Sequence, residues 1–156
     1  SLGWHGNAIL VRRGIRIDTV ERFELPGLEP RGAVAITLND VMTTRVVGVH
    51  LGLLRTSRRK QLEVLRDRLD DASRPHTVIA GDFNEWSAKR AHEPLAPAYA
   101  MAACMRSFPA AYPLAALDRI AHGPGLRIAD AGVCTNKDAQ IASDHLPIWA
   151  DMATTV

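Results

Sequence analysis

His76-Thr-Val-Ile-Ala-Gly-Asp-Phe-Asn84 decides the fold: an apolar, β-branched run breaks off abruptly into Gly-Asp-Phe-Asn. The first part suits a buried strand, and Asp and Asn suit the sharp turn that must follow it. Upstream, Ser57–Ala72 has a different period. Leu62, Leu65 and Leu69 recur at three and four, while Arg58, Arg59, Glu63, Arg66 and Asp70 fall elsewhere. This spacing predicts an amphipathic helix packed on a sheet by its leucine stripe, with Ser57 as N-cap and Arg58 and Arg59 on a solvated face. Before the helix, Gly32–Leu38 and Arg45–Leu51 are joined by the short Asn39–Thr44, which predicts an antiparallel hairpin. Both runs are apolar on both faces, as in strands buried inside a sandwich.

Working outward, Asn7–Arg12 and Ile15–Leu25 read as strands separated by the turn pair Arg13-Gly14 and closed by Pro26-Gly27. Beyond Asn84 the chain is Ala- and Pro-rich, with a short helix expected near Ala88–Leu95 and irregular loops around Ser107-Phe-Pro109. Strands are expected again at Leu117–Ala121, Leu126–Val133 and Leu146–Met152. No repeat or linker interrupts this order, so residues 1–156 are expected to form a single α/β domain.

Composition excludes several classes. At 47% hydrophobic and 23% charged, the chain is not of disordered type. No apolar run approaches the ~20 residues of a membrane span. The net charge of +2 gives no global electrostatic case for nucleic acid or an anionic membrane. Cys104 and Cys134 lie in no CxxC or Cys/His pattern, so a structural zinc is not expected; two reduced core thiols in a cytoplasmic protein are.

Chemistry is concentrated where apolar strands end: Val-Gly-Val-His50, Ala-Gly-Asp82-Phe-Asn84, Leu-Asp118-Arg-Ile and Ala-Ser-Asp144-His145-Leu-Pro. Each piece alone has an ordinary explanation, as a rim histidine, a turn, a surface ion pair or a loop. Together they place three carboxylates, two imidazoles and one carboxamide at strand ends, where loops can build a site. That set suits a hard divalent cation that prefers oxygen and leaves room for water and phosphate. A histidine beside a carboxylate has its charged form favoured. Asn84 can donate to a phosphoryl oxygen without adding charge.

In this order, Gly-Asn7-Ala-Ile-Leu, Val-His50-Leu, Gln61-Leu, Ala-Gly-Asp82-Phe-Asn84, Leu-Asp118-Arg-Ile and Ser-Asp144-His145-Leu-Pro resemble the endonuclease/exonuclease/phosphatase superfamily, the pancreatic-deoxyribonuclease-like hydrolases. The resemblance implies a four-layered α-β-β-α sandwich and metal-dependent hydrolysis of phosphate esters, with Mg2+ or Mn2+ as cofactor. Carried over, Asp82 would orient or deprotonate the attacking water and stand on the metal side together with Asp144. Asn84 and His145 would bind the scissile phosphate, with Asp118 as partner of His145. His50 would serve the leaving group as acid or oxyanion donor. Trp86 and the Ser107-Phe-Pro segment are candidates to shape the substrate pocket.

The family also carries, upstream of its Gly-Asn segment, a strand-end Asn and a Gln-Glu motif whose Glu is the principal metal ligand. Neither has a counterpart here, and Glu21 and Glu24 are in the wrong place to replace it. The expectation is therefore an incomplete, N-terminally truncated domain. It would be inactive alone, with a sheet edge that the missing segment or another chain would cover. For the parent the resemblance implies a phosphodiesterase acting on a lipid headgroup, a nucleotide or, less favoured, nucleic acid. A fragment that binds phosphate ligands without turnover is the alternative, and a DNA endonuclease or exonuclease the next. The best candidate for a nucleic-acid track, Arg55-Thr-Ser-Arg-Arg-Lys60, reads first as a loop and helix start.

Overall fold

The computed structural model describes residues 3–70 and 74–155. It opens with a small hairpin, β1 (Gly3–Trp4) and β2 (Asn7–Ala8). His5 and Gly6 join them, both at positive φ (47° and 81°), the conformation that two-residue hairpin turns require. The side-chain amide of Asn7 donates to Trp4 O and, at 2.8 Å, to Gly32 O, fastening the hairpin to the strands beneath. The strand expected over Asn7–Arg12 is thus corrected to two residues. Leu10 is 95% exposed, while Ile9 and Val11 are half-buried, Ile9 lying over Gly48. A contiguous apolar run supplies no alternation to fix a strand face.

A meander follows: β3 (Arg16–Leu25), β4 (Arg31–Asn39) and β5 (Thr43–His50), each antiparallel to the one before. The expected hairpin across residues 39–44 is present, with Asn39 paired to Thr43. Helix α1 (Arg55–Leu69) then carries the chain to β6 (Thr77–Asp82), which runs parallel to β5. The remaining elements are α2 (Ala88–His92), β7 (Ala100–Met101), β8 (Asp118–His122), β9 (Leu126–Val133), α3 (Lys137–Ala142) and β10 (Ile148–Thr154). They complete a six-stranded mixed sheet of order β3-β4-β5-β6-β8-β7 and a separate antiparallel ribbon, β9–β10. Among the described residues no helix is long and apolar enough to cross a membrane.

Burial follows the pleat. On β4 and β5, Ala33, Ala35, Val47 and Val49 face α1, whose Leu62, Leu65 and Leu69 are almost fully buried. The two alanines let the helix approach, and each buried leucine contributes about 1.5–3 kcal/mol. On the opposite face, Val78, Ala80 and Ile120 pack against Ile128, Ala131 and Val133 of β9 and Ile148 and Ala150 of β10. The fold is therefore mixed α/β of the expected sandwich type, its second sheet represented among the described residues by the ribbon.

Three expectations are corrected here. The helix begins at Arg55 with Leu54 at the N-cap and no side-chain cap, so Ser57 lies inside the first turn; positions 71 and 72 of the expected helix lie outside the described residues. Arg58 is 8% exposed, not on a solvated face. It stands four residues before Leu62 and seven before Leu65, on the leucine side of the helix, where charge predicts exposure but helical period dictates burial. The cysteines are not core thiols: Cys104 is exposed on the irregular stretch after β7 and Cys134 is half-buried, both free.

Candidate functional site

Strand register assembles the site. His50 ends β5, Asp82 ends β6, and the two are paired across the parallel ladder; Asp82 is paired in turn with Asp118, the first residue of β8. Neighbouring strands lie about 4.8 Å apart, so three chemically active side chains share one rim. Gly81 makes this possible. Its φ is +143°, and a Cβ there would collide with the carbonyl oxygen of Val49. Beyond it, Asn84 adopts φ +50°, a left-handed conformation that Asn tolerates better than most residues. Its N–H donates to Asp82 Oδ1 at 2.7 Å, and its Nδ2 donates to Leu51 O at 2.9 Å. One amide hydrogen of Asn84 thus holds the loop while the other stays available.

His145 reaches the rim from the loop before β10. Its Nδ1 lies 2.8 Å from Asp118 Oδ2, which also accepts the Ser107 hydroxyl. Leu146 N–H donates to Ser107 O and Ala110 N–H to Asp144 O, locking the loops around 107–110 and 143–146 together. The Phe108 ring packs against the imidazole, centroids 4.8 Å apart and planes tilted by 45°. With Nδ1 engaged, Nε2 is the ring nitrogen left for a ligand. Burial pulls the pKa of His145 down, but the hydrogen bond and charge of Asp118, joined by Asp82 and Asp144, carry it above the ordinary imidazole value.

His50 differs. Its Nε2 is 3.6 Å from Asp82 Oδ2, too far for a hydrogen bond. Burial lowers its pKa and the nearby Arg31 lowers it further, against a weaker pull from Asp82. Arg31 is itself paired with Glu29 at 2.7 Å, and Glu29 accepts the Leu53 N–H.

The structure brings His50, Asp82, Asn84, Asp118 and His145 together. Asp144 stands at their border, exposed, where its charge reaches His145 and its carboxylate accepts a 3.4 Å bond from the Ser143 hydroxyl. Trp86 is 70% exposed just past Asn84 and Glu85. Sequence reading missed the supports. Arg58 donates to Glu85 Oε2 at 2.8 Å and to the carbonyls of Gly52 and Leu53, tying the loop after Asn84 to the loop after His50. Glu85 is 6% exposed. Burial would raise its pKa, but the Ser87 N–H and Arg58 hold it below the usual carboxylate value. Gln61, fully buried, accepts from Gly52 N–H and donates to Pro26 O. Arg119 is buried rather than paired with Asp118, and donates to Glu85 O and Cys104 Sγ. Helical period gives a signal for Arg58 and Gln61; nothing local marks Arg31.

A divalent ion was expected at Asp82 and Asp144. Among the described residues no three His, Cys, Asp or Glu side chains cluster closely enough to hold a metal. Asp82 Oδ1 and Asp118 Oδ2 are already committed to hydrogen bonds. These residues do not form a complete metal site, and an ion there would need oxygen donors besides them.

One rim of the mixed β-sheet thus carries a histidine–aspartate pair and a Gly-Asp-Phe-Asn turn. A model of the Endonuclease/Exonuclease/phosphatase family matches residues 1–145, and the chain belongs to that family. It is 32% identical over 166 residues to the uncharacterized protein YbhP of Escherichia coli (strain K12), an alignment covering 96% of this chain. The chain spans 63% of the length of that curated relative. Among solved structures, it resembles a conserved protein of unknown function from Enterococcus faecalis V583, with a TM-score of 0.77 and 20% identity over 90% of this chain and 68% of the other. It also resembles the mannosyl-6-phosphatase Bt3783 of Bacteroides thetaiotaomicron VPI-5482, with a TM-score of 0.76 and 13% identity over 89% of this chain and 67% of that one. These two likenesses establish the fold.

Proposed function

We propose that the intact gene product carrying this chain is a phosphoesterase that hydrolyses a phosphodiester, such as a lipid headgroup or nucleotide, by in-line attack of water. The observation that supports this reading above all others is the 2.8 Å His145–Asp118 pair, set on the same rim as Asp82 and His50. Asp118 favours the charged form of His145, and the free Nε2–H donates to a nonbridging phosphoryl oxygen. The free amide hydrogen of Asn84 donates to another, so both act where charge builds up on phosphorus. Asp82 accepts a hydrogen bond from the attacking water through its uncommitted Oδ2. His50, held neutral, offers an N–H to the leaving oxygen without placing a second cation beside His145. Magnesium or manganese belongs to this reading as the cofactor, with Asp82 and Asp144 as partial ligands.

A second reading concerns the 156-residue chain by itself, and the lack of a three-ligand cluster among the described residues favours it: phosphate-ester binding without turnover. The test is a panel of bis-p-nitrophenyl phosphate, a phospholipid, a phosphomonoester and plasmid DNA, assayed with magnesium and with manganese. The intact gene product is expected to turn over a diester, and His145→Ala to lower the rate by about 10²–10⁴-fold. The 156-residue chain is expected to show negligible turnover. Wild-type rates in both Asn84→Ala and His145→Ala would overturn the roles given to those residues.

A further inference from the structure

Between the first turns of α1 and the short helix α2 lies a cavity of about 190 Å³, lined by Arg55, Arg58, Arg59, Arg66 and Arg90. Three glutamates line it as well, and each is already neutralised. Glu85 pairs with Arg58 at 2.8 Å, Glu63 with Arg59 at 3.0 Å, and Glu93 with Lys89 at 3.8 Å. Arg66 is bound to Asp67 and to Pro94 O. Arg55 and Arg90 form no ion pair among the described residues, though the charge of Arg90 is felt by Glu85. Arg58 Nε is buried and has no hydrogen-bond partner. The α1 N-terminus beside them has no side-chain cap and no acidic residue in its first turn. Surplus guanidinium charge, an orphaned buried donor and an uncapped helix start all demand an anion at this one place.

We infer that this cavity is an anion site separate from the His145–Asp118 rim, taking a small phosphate-class polyanion through Arg55 and Arg90. The ligand is either a free anion or a second phosphoryl group on the molecule held at the rim. A guanidinium fork on each side suits two or more phosphate oxygens better than a single carboxylate. The terminal nitrogens of Arg58 are held by Glu85 and the Gly52 and Leu53 carbonyls, which leaves it only its buried Nε, so recognition falls mainly to Arg55 and Arg90. The inference does not depend on turnover.

Calorimetric titration of the 156-residue chain with inorganic pyrophosphate, without divalent metal, tests it. Arg55→Gln/Arg90→Gln is expected to weaken pyrophosphate binding by about tenfold or more, and the double lysine variant to restore part of it. Arg12→Gln/Arg13→Gln, which removes the same charge elsewhere, is expected to leave it unchanged, and His145→Gln is expected to retain the Arg55/Arg90-dependent binding. No binding to the wild type, undiminished binding to Arg55→Gln/Arg90→Gln, equal loss in the Arg12/Arg13 control, or complete loss in His145→Gln would each overturn the inference. A sugar monophosphate and a sugar bisphosphate separate the two sources. A bisphosphate advantage that vanishes in Arg55→Gln/Arg90→Gln assigns a substrate-borne phosphoryl, and no advantage assigns a free anion. If the rim has no catalytic role, the pyrophosphate result stands unchanged and only the hydrolysis panel fails.

Discussion

His145 and His50 each stand beside an aspartate on one sheet rim, yet their surroundings push them in opposite directions. His145 touches its carboxylate at 2.8 Å and is raised; His50 lies 3.6 Å from its own, faces Arg31 and is lowered. Proximity to a carboxylate therefore does not set the charge of an imidazole. Burial lowers both; the hydrogen bond to Asp118 overcomes it at His145, and Arg31 adds to it at His50. The two sides are also supported differently. His145 is positioned by its own side-chain bond to Asp118, whereas His50 sits on a backbone that Arg58 and Gln61 grip through Gly52 and Leu53. Paired titrating groups driven apart in this way are the usual division of labour between a charged donor and a neutral one.

The largest effect should come from removing the bond that creates the difference. Asp118→Asn keeps the shape but removes the charge, so the His145 pKa should fall from above its ordinary value towards that of His50. Imidazole shifts followed by NMR through a pH titration would show this, and the rate of the intact gene product should drop by about 10²–10³-fold. An unmoved His145 titration would mean that Asp118 is not what sets its charge. Next in size is the support on the His50 side. Arg58→Met should cost about 3–5 kcal/mol in urea unfolding, because it leaves the Glu85 carboxylate buried and unpaired. Arg58→Met/Glu85→Leu should recover much of that loss.

Periodicity and motif order disclosed most of this molecule, and they failed where interactions are non-local. The leucine stripe of α1, the 39–44 hairpin and the strand ending at Asp82 follow from residue spacing alone. So does the grouping of His50, Asp82 and Asp118, because a sheet gathers its strand ends, with Asn84 just beyond; His145 joins them from the loop before β10 of the separate ribbon, by its place in the motif order. Arg58 was readable from period but obscured by its charge, since a buried arginine requires a partner that lies 27 residues away at Glu85. Ser107 and Arg31 could not be found this way. One acts through a hydroxyl aimed at Asp118 across an irregular loop, the other through its field at His50, and neither leaves a local pattern. The ribbon β9–β10 was legible strand by strand, while the short α3 between its strands was not. At six residues it has too few turns for a stripe, and its only visible sign is Asn136, whose side chain caps Ala139 N–H.

The smallest effect is also the one that most sharply separates the two histidines. His145, raised on folding, binds more protons folded than unfolded. Its stabilisation is full below the unfolded imidazole value near 6.5 and is lost as pH rises through its folded pKa. His50, lowered on folding, does the reverse: it costs stability as pH falls below about 6.5 and nothing well above it. Both rings are partly open to solvent, which damps each contribution. The two windows adjoin at about pH 6.5, so over a pH window centred there the wild-type unfolding free energy should pass through a maximum and fall on either side. His145→Gln leaves the His50 term, and stability should then rise with pH. His50→Gln leaves the His145 term, and stability should fall with pH. Urea unfolding of the three proteins across the window reads the signs directly. Two variants with slopes of the same sign would mean that the imidazoles are not held apart by Asp118 on one side and by burial and Arg31 on the other.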